Sequence, residues 1–92
     1  ISLCVSDEYE RSDNNLNNTY NEVLKKLNKE NALSLKGAQR SWIVFRDKHC
    51  VVGVDYSGSG SRLRETNCKI QKTKERNKEL ASYLNSIEGD VF

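Results

Sequence analysis

Apolar residues recur at helical spacing in three segments of the chain, and the alternation expected of strands is absent. The central segment has the most regular pattern. Its apolar positions are three or four residues apart and therefore share one face of an α-helix. This series comprises Leu35, Ala38, Trp42, Phe45, His49, Val52 and Tyr56. The pattern predicts that the segment around Trp42 is the core helix of a small all-α protein.

The segment before it predicts a first helix over residues 6–29. Ser6 is a suitable N-cap, and Asp7 and Glu8 complement the helix dipole in the first turn. One face of this helix carries Tyr9, Leu16, Tyr20, Val23, Leu24 and Leu27. Residues 28–34 break the pattern, which places helix two over 34–53 with Asn31 or Ser34 as its cap.

Helix three is predicted to start after Ser59 or Ser61 as cap and to stop at Gly89. Its seam is polar in the middle, at Thr73 and Asn77, which predicts a hydrogen-bonded layer between helices. The whole seam reads Leu63, Thr66, Ile70, Thr73, Asn77, Leu80, Leu84 and Ile87. Gly37, inside helix two, indicates either a close approach between helices or a tolerated surface glycine.

The length of 92 residues gives a single domain spanning 1–92. Three helices with short connections most simply form an antiparallel, up-down-up three-helix bundle. The one extended loop is the Gly/Ser-rich segment 53–61, between helices two and three. In this topology the loop shares one end of the bundle with His49 and with all three cysteines.

Those cysteines, at positions 4, 50 and 68, favour an oxidising compartment. Cys50 and Cys68 flank the loop and can meet across a helical hairpin, which would tether the loop with a disulfide. Pairing of Cys4 with either of them stays open. In the favoured pairing Cys4 is free or bonded to a cysteine outside this chain.

A metal site built from His49 and the cysteines is disfavoured, since adjacent residues on a helix point about 100° apart. We therefore expect no metal and no cofactor. The single histidine lies on the predicted core face, and no motif places a nucleophile beside it. An enzyme is not expected.

Charge and hydropathy argue against a nucleic-acid-binding protein and against a membrane span. The net charge is only +2, with 30% charged residues, so no large field of one sign is implied. Five cations are clustered in the middle of helix three and are interleaved with Glu75 and Glu79, which is typical of a solvated face rather than a nucleic-acid site. They are Lys69, Lys72, Lys74, Arg76 and Lys78. No apolar run reaches the length of a membrane span. The start at Ile1, without Met, indicates a processed product.

Two motifs carry a resemblance to a known family. They are LNNTY at residues 16–20 and AQRSWIVFRDKHC at residues 38–50, followed in helix three by Cys68, Thr73, Arg76 and Leu80. The chain resembles the lysozyme inhibitor LprI-like N-terminal domain of bacterial cell-envelope proteins, over roughly residues 4–84. The resemblance implies a helical fold, a periplasmic or secreted location and, for at least one member, inhibition of lysozyme.

The polar members of the family-like motif have two interpretations. They can be architectural, forming charge-assisted hydrogen bonds that fix helix register, or they can form a ligand or partner surface. We favour the architectural interpretation, because they accompany a core tryptophan. These residues are Asn17, Gln39, Arg40, Arg46, Asp47 and Arg76.

The loop is the best candidate for partner binding. It offers small side chains, free backbone donors, one aromatic anchor and a positive charge, all suited to a narrow cleft lined by carboxylates. The candidate residues are Asp55, Tyr56, Ser57, Gly58, Ser59, Gly60, Ser61 and Arg62. The alternative is that this segment is only a flexible connector.

The sequence thus predicts a non-enzymatic binding protein, monomeric or weakly dimeric. Its expected partner is a lysozyme-like or other peptidoglycan-cleaving enzyme, or a toxin to which it confers immunity. The alternative is a structural or interaction module of the bacterial cell envelope.

Overall fold

The computed structural model describes the backbone of residues 2–89 and the side chains of residues 5–87. Three α-helices make up the fold, and this part of the chain contains no β-strand. They are α1 (Ser2–Lys26), α2 (Lys29–His49) and α3 (Ser61–Gly89). The prediction of an all-α fold is confirmed, and α3 ends at the predicted glycine.

The predicted boundaries of the first two helices are wrong. Helix α1 begins at Ser2, so Ser6 is not its cap, and α2 begins at Lys29 rather than at residue 34. Asn28 is the N-cap of α2 in place of Asn31 or Ser34, and its side chain accepts a hydrogen bond of 2.8 Å from the backbone N–H of Asn31. Residues 28–34 show no apolar periodicity because nearly all of them are exposed to solvent at the start of α2.

The other end of α2 also differs from the prediction. The helix stops at His49, and the chain continues in short turns closed by Val52 N–H to His49 C=O (3.1 Å) and Val54 N–H to Val51 C=O (3.2 Å). Gly53 has a φ of 75°, in the left-handed region that ends helical geometry. The apolar spacing that predicted a helix to residue 53 thus continues beyond the helix itself.

The core lies mainly between α1 and α3, which form most of the contacts between helices. Leu16, Val23 and Leu80 are its buried centre, exposed by 1%, 0% and 4%. Half-buried side chains, including Trp42 and Leu35 from α2, surround this centre. The apolar faces predicted for α1 and α3 therefore point to the core.

The segment around Trp42 is not the core helix that the sequence pattern predicted. Phe45 and Val52 are exposed by 53% and 76%, and His49 is exposed and stacked on Phe45, with ring centroids 5.2 Å apart. The buried residues of α2 are the polar Gln39 and Arg46. Helix α2 therefore buries two polar side chains and leaves Phe45 and other apolar side chains in solvent.

The predicted disulfide between Cys50 and Cys68 is confirmed, with Cα atoms 5.5 Å apart. It joins the C-cap of α2 to the second turn of α3 across 18 positions of sequence. Closing a loop of this size stabilises a fold by about 3 kcal/mol. The side chain of Cys4 lies outside the described residues.

Gly37 lies inside α2, where a Cβ atom would meet only Arg40 Nη2, at 4.0 Å. It is therefore a tolerated glycine and does not mark a close approach of two helices. Replacing Gly37 with alanine should raise the free energy of unfolding by up to about 1 kcal/mol. Denaturant titration of the variant and the parent measures this gain.

Gly53→Ala is the matched control, since it also adds one methyl group in open space but at a φ of 75°. A side chain there is strained, so this variant should lose about 1 kcal/mol. A loss of stability in Gly37→Ala would contradict the open environment of that glycine.

Candidate functional site

The connection between α2 and α3 is an ordered loop closed at its base by the disulfide. At its tip, Asp55 accepts two hydrogen bonds from Ser57, at 3.0 Å from the backbone N–H and 2.6 Å from the hydroxyl. These bonds lower the pKa of the Asp55 carboxyl, the hydroxyl bond contributing most. The backbone N–H of Gly58 also donates to the carbonyl of Asp55 at 3.1 Å, which closes a turn.

Tyr56 ties the loop to α3. Its hydroxyl donates a hydrogen bond of 2.6 Å to the Glu65 carboxylate, which also forms an ion pair of 3.1 Å with Lys69. The Tyr56 bond, followed by the bond to Lys69, lowers the pKa of Glu65, and the same bond to Glu65 raises the pKa of the Tyr56 hydroxyl. Tyr56 was predicted to anchor a partner. Its hydroxyl instead holds the loop against α3 of the same chain.

The loop enters α3 through Gly60, whose φ is 84° and whose carbonyl accepts from the backbone N–H of Arg64 at 3.0 Å. Gly60 therefore occupies the cap position that the sequence assigned to Ser59 or Ser61. Beside it is a shallow concavity of about 200 Å³. Its lining consists of Asp55, Gly58, Ser59, Ser61 and Arg64.

All eight residues predicted to bind a partner lie in this one region. Asp55 to Gly60 and Arg62 are exposed, and Ser61 is half-buried. The region presents serine hydroxyls, backbone N–H groups and the cations Arg62 and Arg64. It can donate hydrogen bonds to an anionic or carbonyl-rich partner. Arg64 and Glu65 were not predicted, because their roles depend on how α3 meets the loop.

The polar motif separates into an inner and an outer group. Gln39 and Arg46 are buried and Asp47 and Arg76 are half-buried, whereas Asn17 and Arg40 are exposed. Arg76 Nε donates to Gln39 Oε1 at 3.0 Å, which links α3 to α2. The structure therefore places four of the six residues at contacts between helices. They are Gln39, Arg46, Asp47 and Arg76.

Arg46 is the centre of the inner group, with its side chain only 7% exposed. Its guanidinium carbon lies 5.5 Å from the ring centroid of Tyr9 and 5.2 Å from that of Trp42. Such cation–π contacts favour arginine over lysine. Its nitrogens reach Asp47 Oδ1 at 2.9 Å and Asp13 Oδ1 at 3.8 Å. One guanidinium thus satisfies charges on α1 and α2 together.

The predicted hydrogen-bonded layer on α3 is partly present. Thr73 is fully buried, and its hydroxyl accepts from Arg46 Nη1 at 3.4 Å. The buried Oδ1 of Asn77 has no hydrogen-bond partner among the described residues. Three or more His, Cys, Asp and Glu side chains do not converge as a metal site anywhere in the described part of the chain. No helix among these residues is long and apolar enough to cross a membrane.

Together these features define a small, disulfide-bonded, all-helical protein with an ordered polar loop. The family model of the lysozyme inhibitor LprI matches residues 1–80. The chain belongs to this family, as its two motifs predicted. The family description is that of an inhibitor rather than an enzyme.

Two bacterial relatives of unassigned function are similar over most of the chain. The uncharacterized protein YecT of Escherichia coli (strain K12) is 32% identical, over 94% of this chain and 64% of its own length. The uncharacterized protein R02472 of Rhizobium meliloti (strain 1021) is 30% identical, over 96% of this chain and 74% of its own. The chain thus spans slightly less than two thirds of YecT. No solved structure matches it.

Replacing Tyr56 with phenylalanine should release the loop from α3 and raise the pKa of Glu65 toward its ordinary value, because the largest cause of the lowered pKa is removed. Glu65 has a lowered pKa in the folded state. Its contribution to stability is therefore present above the unfolded pKa and is lost as pH falls through the folded pKa. NMR titration of the side-chain carboxyl measures the shift.

Tyr83→Phe is the matched control, since Tyr83 is 46% exposed and lies outside the loop. It should leave the titration of Glu65 unchanged. An unaltered Glu65 titration in Tyr56→Phe would show that the loop is not tied to α3 in solution.

Proposed function

We propose that the protein inhibits a lysozyme-like or other peptidoglycan-cleaving enzyme by inserting residues 55–62 into its substrate cleft. The family description supports an enzyme partner of this kind. The observation that carries the loop mechanism is the order of the loop, which the disulfide closes at its base and the Tyr56–Glu65 bond fixes at its tip. A loop ordered before binding loses little conformational entropy on entering a cleft.

The charges of the loop suit such a cleft. Glycosidase clefts carry a pair of carboxyl groups, and the loop region offers an exposed cation, Arg62, and an exposed serine, Ser59. The acidic groups of the loop region already have partners, since Asp55 accepts from Ser57 and Glu65 from Tyr56. A carboxylate of the enzyme would therefore find free donors at the loop.

We also propose that the three helices form an up-down-up bundle that presents the loop at one end. Two contacts between α2 and α3 support this arrangement. From one contact to the other, the position moves toward the start of α2 and toward the end of α3. Cys50 is bonded to Cys68, whereas Gln39, eleven residues earlier, contacts Arg76, eight residues later. This is the order expected of an antiparallel hairpin with the loop at its turn.

A periplasmic or secreted location is part of the same proposal. The disulfide supports it, since disulfides persist in oxidising compartments. The enzyme partner can belong to a competing cell, in which case the protein would act as an immunity protein. The alternative function is that of a structural or interaction module of the cell envelope, with the loop as a connector.

The test is a titration of the protein into a c-type lysozyme and into further cell-wall-lysing enzymes, with lysis and binding heat followed together. Saturable one-to-one inhibition is expected for the target enzyme. Arg62→Glu should weaken this inhibition by about tenfold or more, because a charge-assisted contact contributes about 1.5–3 kcal/mol.

Lys78→Glu is the matched control, an exposed charge reversal on α3 outside the loop. It should inhibit like the parent. Equal inhibition by Arg62→Glu and the control would contradict the loop mechanism. Absence of both inhibition and binding heat with every enzyme tested would contradict the inhibitor function and favour the structural alternative.

A further inference from the structure

The tip of the loop, residues 55–59, is joined to the helices by one hydrogen bond among the described residues. This is the 2.6 Å bond from the Tyr56 hydroxyl to Glu65 Oε1 on α3. The other hydrogen bonds of the tip are internal to it, since Asp55 accepts from Ser57 and closes a turn within the loop. The position of the loop tip relative to the helices therefore depends on where the Glu65 carboxylate is held.

Lys69 holds this carboxylate through its second oxygen. The Nζ of Lys69 lies 3.1 Å from Glu65 Oε2, four residues earlier on α3, and 3.9 Å from Asp47 Oδ1 on α2. The side chains of Lys69 and Glu65 are only 22% and 23% exposed, so water and salt screen this pair less than a surface ion pair. One ammonium group thus lies between two carboxylates that belong to different helices.

The carboxylate on α2 is itself fixed by the buried guanidinium of the inner group. Arg46 Nε donates a hydrogen bond of 2.9 Å to Asp47 Oδ1. The contacts therefore form one continuous series from the interior to the loop tip. In order, its members are Arg46, Asp47, Lys69, Glu65 and Tyr56. Lys69 is the member that joins the part of this series on α2 to the part on α3.

We propose that Lys69 is a positioning residue for the inhibitory loop. It keeps the Glu65 carboxylate at the place where Tyr56 binds it, and so fixes the loop tip relative to α2. This inference rests on the proposed function, since it concerns the loop that would enter the substrate cleft. Without the cation, the Glu65 carboxylate is free to turn into solvent and to release the loop tip. A loosened loop has to be ordered on binding, which weakens inhibition.

The test has to separate the position of the loop from the stability of α3, because an ion pair at this spacing also stabilises a helix. Lys72 provides the matched control. It lies on the same helix, its side chain is 29% exposed, and it forms an ion pair of 3.5 Å with Glu75. Glu75 is exposed and lies farther along α3 from the loop.

The experiment compares Lys69→Met with Lys72→Met, since each removes one ammonium group and keeps an unbranched stem. In Lys69→Met, NMR relaxation of the loop-tip amides should show increased motion on the ps–ns timescale. Inhibition of a c-type lysozyme should be about threefold to tenfold weaker than that of the parent. Lys72→Met should match the parent in both measurements.

The titration of Glu65 gives a second measurement on the protein by itself. The bond from Tyr56, and after it the bond to Lys69, lowers the pKa of this carboxyl, with Arg62 as a further nearby cation. In Lys69→Met the pKa of Glu65 should therefore rise toward its ordinary value, because one of these contacts is lost while Arg62 is unchanged. Lys72→Met should leave the pKa of Glu65 where it is in the parent.

Lys69→Arg is the conservative variant and should restore the parent's loop order and inhibition. A guanidinium remains charged and can donate to both carboxylates. Lysine, arginine and methionine have similar helix propensities, so circular dichroism should show equal helicity in all variants. Rescue by arginine but not by methionine would identify the cation, rather than the helical position, as the requirement.

The remaining outcomes separate this inference from the proposed function. An unchanged loop tip in Lys69→Met, or equal loosening in Lys72→Met, would overturn the positioning role. A loosened loop tip with undiminished inhibition would overturn it as well and would contradict the loop mechanism. Absence of inhibition by the parent would count against the proposed function alone, because the motion of the loop and the titration of Glu65 are measured without an enzyme.

Discussion

The buried guanidinium of Arg46 is the contact on which the arrangement of the three helices depends. It belongs to α2, lies against the ring of Tyr9 on α1, and donates to Thr73 on α3. A buried guanidinium is costly unless aromatic faces and acceptors replace the water that it has lost. Trp42 and Asp13 supply part of that replacement, at 5.2 and 3.8 Å. One side chain thereby fixes the position of α2 relative to both other helices.

This contact is important because α2 contributes no fully buried apolar side chain to the core, only the half-buried Leu35 and Trp42 at its edge. Leu16, Val23 and Leu80 belong to α1 and α3, whereas the buried residues of α2 are Gln39 and Arg46. The disulfide and the bond from Arg76 to Gln39 add two further connections between α2 and α3. With Gln39 and Arg46 directed inward, α2 leaves Val44, Phe45 and Lys48 exposed to solvent. The inner contacts thus determine which face of α2 is exposed.

Helix periodicity predicted much of the fold because it reports the buried side of a helix well when a helix has a single apolar stripe. Helices α1 and α3 are of this kind, so their predicted apolar stripes contain the residues that are buried. Leu16 on α1 and Leu80 on α3 are examples. Helix α2 carries apolar residues on several sides, and of its most regular series only Leu35 and Trp42 pack against the core, whereas Phe45 is exposed. The buried side of α2 is instead the side of its polar motif, through Gln39 and Arg46.

The candidate loop was predictable for a related reason. Glycine and serine between two helical patterns mark a connection regardless of tertiary contacts, and two flanking cysteines indicate the disulfide. The anchoring of Tyr56 by Glu65 and the partners of Arg46 depend on how distant segments meet. Neither residue spacing nor composition encodes those distances, so these contacts could not be predicted from the sequence.

Native-state hydrogen exchange of the parent and of Arg46→Met tests most directly whether Arg46 holds α2 in place. Methionine keeps an unbranched apolar stem but removes the donors and the charge. If Arg46 holds α2 in place, the amides of α2 lose protection in the variant while those of α1 and α3, which share the apolar core, keep most of theirs. Equal loss of protection in all three helices, or no loss in α2, would contradict it.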